Sequence, residues 1–83
     1  MAALHQYHHR IITKKNILAG KPVIKGTRIS VELILKLLAQ GMETNEILEE
    51  YPSLKKEDIL AVMDYAHDMI KNEEVYVWRF AGI

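Results

Sequence analysis

The stretch GKPVIKGTRISVELILKLLAQG, from Gly20 to Gly41, decides the fold of this 83-residue chain. It opens with turn residues, passes through a short β-type segment at Val23-Ile24, and reaches a helix that we predict over residues 31–40. The polar residues of that helix stand four apart and form one narrow stripe: Glu32, Lys36 and Gln40. A helix that is otherwise apolar on every side is expected to be buried on nearly every side. We therefore predict that the other elements pack around this helix.

The composition indicates one small globular domain. The chain is 49% hydrophobic and 27% charged, which excludes an intrinsically disordered protein. It has no cysteine, which excludes a disulfide framework, a thiolate metal site and a thiol nucleophile. No apolar run has the length of a signal peptide or a membrane span, so we expect no membrane association and a cytoplasmic location.

A charge gradient lies behind the net charge of zero. Residues 1–36 carry seven Lys and Arg against one Glu, whereas residues 37–83 carry four against ten Asp and Glu, giving +6 and −6. Such asymmetry fits a polyanionic partner for one face or head-to-tail pairing of subunits. Charge alone slightly favours a third interpretation, in which the two halves neutralise each other within one fold.

Two short strands are expected before the central helix. Residues 10–13 have the β-branched content of a strand, and Val23-Ile24, extending toward Ile29, forms a second one. The two are predicted to pair as an antiparallel ribbon, broken or bulged at Lys25-Gly26. Ser30 is the expected N-cap of the central helix, and Gly41 the residue that ends it.

Two further helices are predicted. The second covers about residues 44–50, with either Thr44 or Glu43 as its cap, and it ends before Pro52. The third covers about residues 56–71 behind Lys55, a poor capping residue, so its first turn is expected to fray. Its apolar residues recur at helical spacing and form one stripe: Ile59, Val62, Met63, Ala66, Met69 and Ile70.

The chain ends in an aromatic tail over residues 75–83, VYVWRFAGI. Tyr76, Trp78 and Phe80 alternate with Val75 and Val77, which is the pattern of a strand with one aromatic face. The tail either folds back on the core of its own chain or crosses to another subunit or a partner. We accordingly divide the chain into an N-terminal tail (1–9), one domain (10–74) and this C-terminal tail (75–83).

Three segments of the chain resemble the domain of unknown function 433 family: GKPVIKGTRISVELILKLLAQGM, EILEEYPSL and EDILAVMDYA. The resemblance covers about residues 10–67 and is most specific in the Gly20–Ile29 run and the Tyr51–Leu54 turn. It implies a short β-ribbon followed by a three-helix core similar to homeodomain-like helix-turn-helix proteins. Genes of this family often lie beside genes for PIN-like ribonucleases, so many members look like antitoxins of type II toxin–antitoxin pairs. The resemblance supplies no catalytic residues.

The charges oppose a conventional helix-turn-helix contact with DNA. The recognition helix would begin near Lys56, where two cations are followed at once by Glu57 and Asp58. The basic residues lie on the ribbon instead, and these form the predicted nucleic-acid-binding set: Arg28, Lys25, Lys21, Lys14, Lys15 and Arg10. Arg28 is the leading candidate because guanidinium pairs bidentately with guanine or phosphate, although it has the alternative of pairing with a helix carboxylate.

The sequence offers little support for an enzyme. His8 and His9 are adjacent and would point apart on a strand, unlike the i, i+4 histidines of a zinc helix. Asp64 and Asp68 share a helix face near His67, a pattern more typical of a solvated surface than of a metal site. We therefore expect no catalytic residue, no cofactor, no metal and no small-molecule substrate.

The expected fold is a mainly α domain, with a short N-terminal β-ribbon, a three-helix helix-turn-helix-like core and an extended C-terminal tail. The expected function is a non-catalytic antitoxin-like regulator that binds a PIN-like ribonuclease and, as a further role, operator DNA. The alternative is a homodimeric interaction module that binds no nucleic acid. A homodimer is expected in both cases, with these residues at the dimer or partner interface: Tyr76, Trp78, Phe80, Leu33 and Leu37.

Overall fold

The computed structural model of the chain describes residues 8–72. Over that range the chain forms a mainly helical domain with a small two-stranded sheet, as the sequence predicted. The strands are β1 (Ile11–Ile12) and β2 (Val23–Ile24), and the helices are α1 (Val31–Ala39), α2 (Thr44–Glu50) and α3 (Lys56–Asn72). Short 3-10 turns cover His8–Arg10 and Leu18–Gly20. The predicted tail 75–83, and residues 1–7 of the predicted N-terminal tail, lie outside the described residues.

The ribbon pairs antiparallel, with Ile11 opposite Ile24 and Ile12 opposite Val23. It is shorter than the sequence suggested, because the backbone N–H of Ile24 donates to the carbonyl of Ile29 at 2.9 Å and the chain turns between them. Gly26 has a φ of +82° in this turn, a conformation that residues with a side chain rarely adopt. The ribbon therefore ends in a tight turn over residues 25–28, which then leads directly into α1.

The connection between β1 and β2 contains two residues other than glycine with left-handed backbone. Leu18 and Ala19 have φ values of +47° and +56°, and Gly20 follows at +84°. Left-handed backbone costs a residue with a side chain about 1–2 kcal/mol. This connection between β1 and β2 is thus conformationally strained at two positions that the sequence did not mark.

Local side-chain and backbone hydrogen bonds define both ends of α1. The hydroxyl of Ser30 accepts from the backbone N–H of Leu33 at 3.0 Å, which confirms Ser30 as the N-cap. At the other end the N–H of Gly41 donates to Leu38, and the N–H of Met42 donates to Leu37 at 3.1 Å. These two hydrogen bonds together form a Schellman motif, with Gly41 in the left-handed conformation at φ +93°.

Carboxylates stabilise the beginnings of the other two helices. Glu43 is the N-cap of α2, and its backbone N–H donates to the carboxylate of Glu46 at 2.8 Å. Of the two caps proposed from sequence, the structure therefore selects Glu43 over Thr44. At α3 the N–H of Lys55 donates to Oδ2 of Asp58 at 2.8 Å, so this helix has a cap that the side chain of Lys55 does not provide. We predicted that the first turn of α3 would fray because Lys55 is a poor capping residue. The carboxylate of Asp58 supplies the cap that this prediction did not consider.

The core lies where the three helices meet under the ribbon. Its fully buried side chains come from β2 and from all three helices: Val23, Ile34, Ile47, Ile59 and Val62. Only Val31 and Ile34 of α1 are buried, and its leucines are half-buried, so the prediction of a helix buried all round was too strong. On α3 the apolar stripe also extends past the core, since Met63, Met69 and Ile70 are 43%, 51% and 66% exposed.

Candidate nucleic-acid interface

The turn over residues 25–28, hereafter the basic turn, displays two cations on a rigid backbone. The hydroxyl of Thr27 donates to the carbonyl of Ile24 and accepts from the N–H of Ile29, both at 2.9 Å. The N–H of Lys25 donates to the carbonyl of Arg10 at 2.8 Å, which ties the turn to the neighbouring strand. The side chains of Lys25 and Arg28 are exposed, and within residues 8–72 neither forms an ion pair. The basic turn thus presents two exposed cations on a backbone that hydrogen bonds already hold in place.

Arg10, another residue of the predicted nucleic-acid-binding set, has a structural partner. Its Nη1 lies 3.0 Å from Oδ1 of Asp58, and the two side chains are 28% and 6% exposed. The same carboxylate caps α3 through the N–H of Lys55. Arg10 therefore connects the ribbon to the start of α3. The guanidinium that was predicted to bind nucleic acid is instead paired with Asp58 in this structure.

Lys21 has a partner that is more easily exchanged. Its Nζ lies 3.0 Å from Oε1 of Glu32, with side chains 60% and 74% exposed. The hydrogen bond and the positive charge of Lys21 hold the pKa of the Glu32 carboxyl below its usual value. Exposed ion pairs contribute little and are screened by salt, so Lys21 can turn to another anion at small cost.

The strand register separates the cations into two groups. Lys25 and Arg28 lie at the end of the ribbon where β1 begins, whereas Lys14, Lys15 and Lys21 lie at the opposite end. Lys21 and Lys25 are four residues apart, which corresponds to about 13 Å of extended strand. The ribbon therefore carries cations at both of its ends.

The start of α3 is less acidic at its surface than the sequence suggested. Asp58 is 5% exposed and faces Arg10, so it does not contribute a free carboxylate. The exposed residues there are Lys55, Lys56 and Glu57. Because Asp58 is buried, its charge does not oppose DNA binding by α3 in the way that its position in the sequence suggested.

A polar cleft of about 200 Å³ lies between the basic turn and α3. It is lined by His9, Arg10, Lys25 and Asp58. Within the described residues, the buried Nε of Arg10 has no hydrogen-bond partner. The cleft places one exposed lysine beside the ion pair that joins ribbon and helix, so an anion bound by Lys25 would lie next to Arg10.

The residues predicted for a dimer or partner interface are only partly described. Tyr76, Trp78 and Phe80 lie outside the described residues. Leu33 is half-buried, and Leu37 is half-buried against the core of its own chain.

A larger apolar surface lies elsewhere, and the sequence analysis did not identify it. A groove of about 360 Å³, hereafter the apolar groove, lies on the surface between α1 and α3. Its walls are formed mainly by Val31, Leu35, Tyr65, Ala66, Met69 and Ile70. The excess of apolar residues at the end of α3, beyond what the core uses, was the available signal.

Comparison with known proteins identifies the family. The family described as "Protein of unknown function (DUF433)" matches residues 11–66, most of the chain. The chain belongs to the DUF433 family. It is 36% identical over 56 residues to the "Uncharacterized protein y4eO" of Sinorhizobium fredii (strain NBRC 101917 / NGR234), which is 68% of this chain and 25% of that protein. The chain thus spans about a quarter of the length of this curated relative.

A solved structure of another DUF433 member supports the fold. The crystal structure of a DUF433 protein from Anabaena variabilis ATCC 29413 superposes with a TM-score of 0.72 at 24% sequence identity. The superposition covers 90% of this chain and 74% of the other. At this level of identity the similarity establishes the shared fold, and the family carries no assigned activity.

Two other classes of feature are absent from residues 8–72. No helix of that range is long and apolar enough to cross a membrane. The same range holds no group of three or more His, Cys, Asp or Glu side chains arranged to bind a metal ion.

Proposed function

We propose that this DUF433 chain is a non-catalytic, antitoxin-like regulator that acts in the cytoplasm and contacts operator DNA through the ribbon. The observation that supports the DNA contact is the basic turn, whose Lys25 and Arg28 are exposed and have no ion-pair partner within residues 8–72. Arg28 would read guanine or grip phosphate, and Lys25, Lys21, Lys14 and Lys15 would neutralise phosphates. Arg10 would support the turn through Asp58 instead of contacting DNA itself.

The partner in this proposal is a PIN-like ribonuclease, as the resemblance to antitoxins implies. Large aromatic side chains contribute most of the energy of many interfaces, so Tyr76, Trp78 and Phe80 are the proposed anchors. Titrating the chain into such a ribonuclease and following RNA cleavage tests this part. Progressive inhibition supports it, and cleavage that is unchanged at saturating chain contradicts it.

DNA binding is tested with a duplex from the region upstream of the gene beside a scrambled duplex, at low and near-physiological salt. We expect selective binding that weakens with salt. Arg28→Ala should lose about 1–3 kcal/mol on the specific duplex, whereas Lys25→Ala should weaken both duplexes and reduce the salt slope by about one. Lys71→Ala removes the same charge from the far end of α3 and serves as the matched control. Equal loss in the Lys71 variant would contradict an interface at the ribbon.

A second candidate function is a homodimeric interaction module without a nucleic-acid role. The apolar groove favours it, because Met69 and Ile70 are half or more exposed there and such surface is often covered in an assembly. This candidate predicts no preference between the two duplexes, whereas a mass of two chains by light scattering is expected of both candidates.

A further inference from the structure

The apolar groove is a surface cavity that is open to solvent on one side. Val31 of its floor is 3% exposed, whereas Met69 and Ile70 on the α3 wall are 51% and 66% exposed. Among the described residues that line it, Glu32 alone carries a charge, and that carboxylate is already paired with Lys21. The groove therefore suits an apolar occupant.

The chain itself continues past this groove with a segment of that chemistry. Met69 and Ile70 lie within three residues of Asn72, where α3 ends, and the sequence goes on through Glu73 and Glu74 to VYVWRFAGI. We propose that residues 75–83 of the same chain pack into the apolar groove, with the indole of Trp78 as the anchor. This inference concerns the free chain and does not depend on DNA binding; binding of a ribonuclease through the same aromatic side chains would require the segment to leave the groove.

The lengths involved permit this packing. Trp78 follows Asn72 by six residue positions, which span up to about 20 Å when extended. The groove wall on α3 reaches back from Asn72 to Tyr65, which is about 10 Å along the helix axis. Trp78 can therefore reach any part of the groove with enough chain left over for a reversal in the polar residues before Val75.

The alternation of side chains in residues 75–83 also fits an extended strand with one face in the groove. Tyr76, Trp78 and Phe80 would share the face that enters the groove, since successive strand residues point to opposite sides.

The same chain is favoured over a second copy by effective concentration. A segment joined to its site by a short linker has an effective concentration in the millimolar range. A segment from another molecule competes only at its bulk concentration unless geometry prevents the internal contact. Here the segment begins within a few residues of the groove, so the internal contact is accessible.

Trp78 is the single tryptophan of the chain, so its fluorescence reports the state of the segment directly. In the wild-type chain we expect a blue-shifted emission and a quenching constant for acrylamide several-fold lower than for a peptide of residues 75–83. Ile70→Glu and Met69→Glu should each shift the emission to the red and raise the quenching constant toward the peptide value. Both side chains are exposed in the folded domain, so the helical circular dichroism should be retained.

Met63→Glu is the matched control, because Met63 is 43% exposed on the same helix but lies outside the groove lining. It should leave the emission and the quenching unchanged. A wild-type Trp78 quenched as readily as the peptide would overturn the proposal, as would an equal red shift in the Met63 variant.

Concentration separates the two sources of the segment. Packing within one chain predicts a blue-shifted emission that is constant over a hundred-fold dilution. An emission that reverts to the red on dilution, in step with a loss of mass by light scattering, would show that a second copy supplies the segment and would overturn the proposal.

Discussion

Replacing Asp58 by alanine should destabilise the fold well beyond the effect of an ordinary helix substitution. Two contacts are lost at once: the bond from the N–H of Lys55 at 2.8 Å and the ion pair with Arg10 at 3.0 Å. Loss of the backbone bond costs about 1 kcal/mol. A fully buried pair broken on one side costs about 3–5 kcal/mol, but Arg10 is 28% exposed, so water reduces that share to about 1–2 kcal/mol.

The expected total is about 2–3 kcal/mol, which lowers the melting temperature of a domain of this size by about 10–20 °C. Urea unfolding followed by the helical circular dichroism measures it, with an unchanged m value as the sign that the same transition is compared. Glu57→Ala alters the adjacent exposed carboxylate and should stay within about 0.5 kcal/mol of wild type.

Asp58→Asn separates the two contacts, because its carbonyl oxygen still accepts from Lys55 while the charge opposite Arg10 is gone. It should retain roughly the stability that the cap contributes and lose that of the ion pair. An Asp58→Ala variant as stable as the Glu57 variant would refute the reasoning, since neither contact would then support the fold. A double-mutant cycle with Arg10→Met should give a coupling of about 1 kcal/mol.

Three further predictions concern helix ends and the exposed ion pair. Ser30→Ala should cost about 1 kcal/mol in urea unfolding through loss of the N-cap bond to α1, and a cost below a few tenths would count against that bond. Gly41→Ala should cost about 1–2 kcal/mol from the left-handed φ alone, because nothing lies within 4 Å of the added Cβ, and Gly41→Asn should lose less by the same measurement. The pKa of Glu32 is lowered in the folded chain, so the stability it contributes is present above its unfolded pKa and is lost as the pH falls through the folded value. Lys21→Ala should raise that pKa toward its ordinary value in a carboxyl NMR titration, and high salt should do the same; an unchanged pKa would contradict the pairing.

The features that sequence reasoning predicted well follow local rules. Ser30 and Gly41 were predicted because a hydroxyl before an apolar run and a glycine after it satisfy backbone groups of their own helix. The end of α2 followed from Pro52, which disfavours helix at the residue before it. These effects act within a few residues, so one sequence is enough to recognise them.

The features that were missed depend on contacts between distant residues. Asp58 looked like a free acid at the surface of α3, since nothing near it in sequence announces Arg10, 48 residues earlier. Helical periodicity placed Met69 and Ile70 on the apolar face, but it does not say how far along α3 the core extends. The exposed end of that stripe is what creates the apolar groove.

The bond between Arg10 and Asp58 also has a consequence for the order of folding. The ribbon closes a loop of about 13 residues between Ile11 and Ile24, whereas the ion pair spans 48. By the logarithmic dependence of closure entropy on loop length, the longer loop costs about 1 kcal/mol more to close. The ion pair is therefore expected to form after the rate-limiting step, once α3 is already docked. Arg10→Met should accordingly speed unfolding in stopped-flow experiments and leave the refolding rate nearly unchanged. The contact would then determine the unfolding rate, and so the lifetime of the folded domain, with little effect on the folding rate.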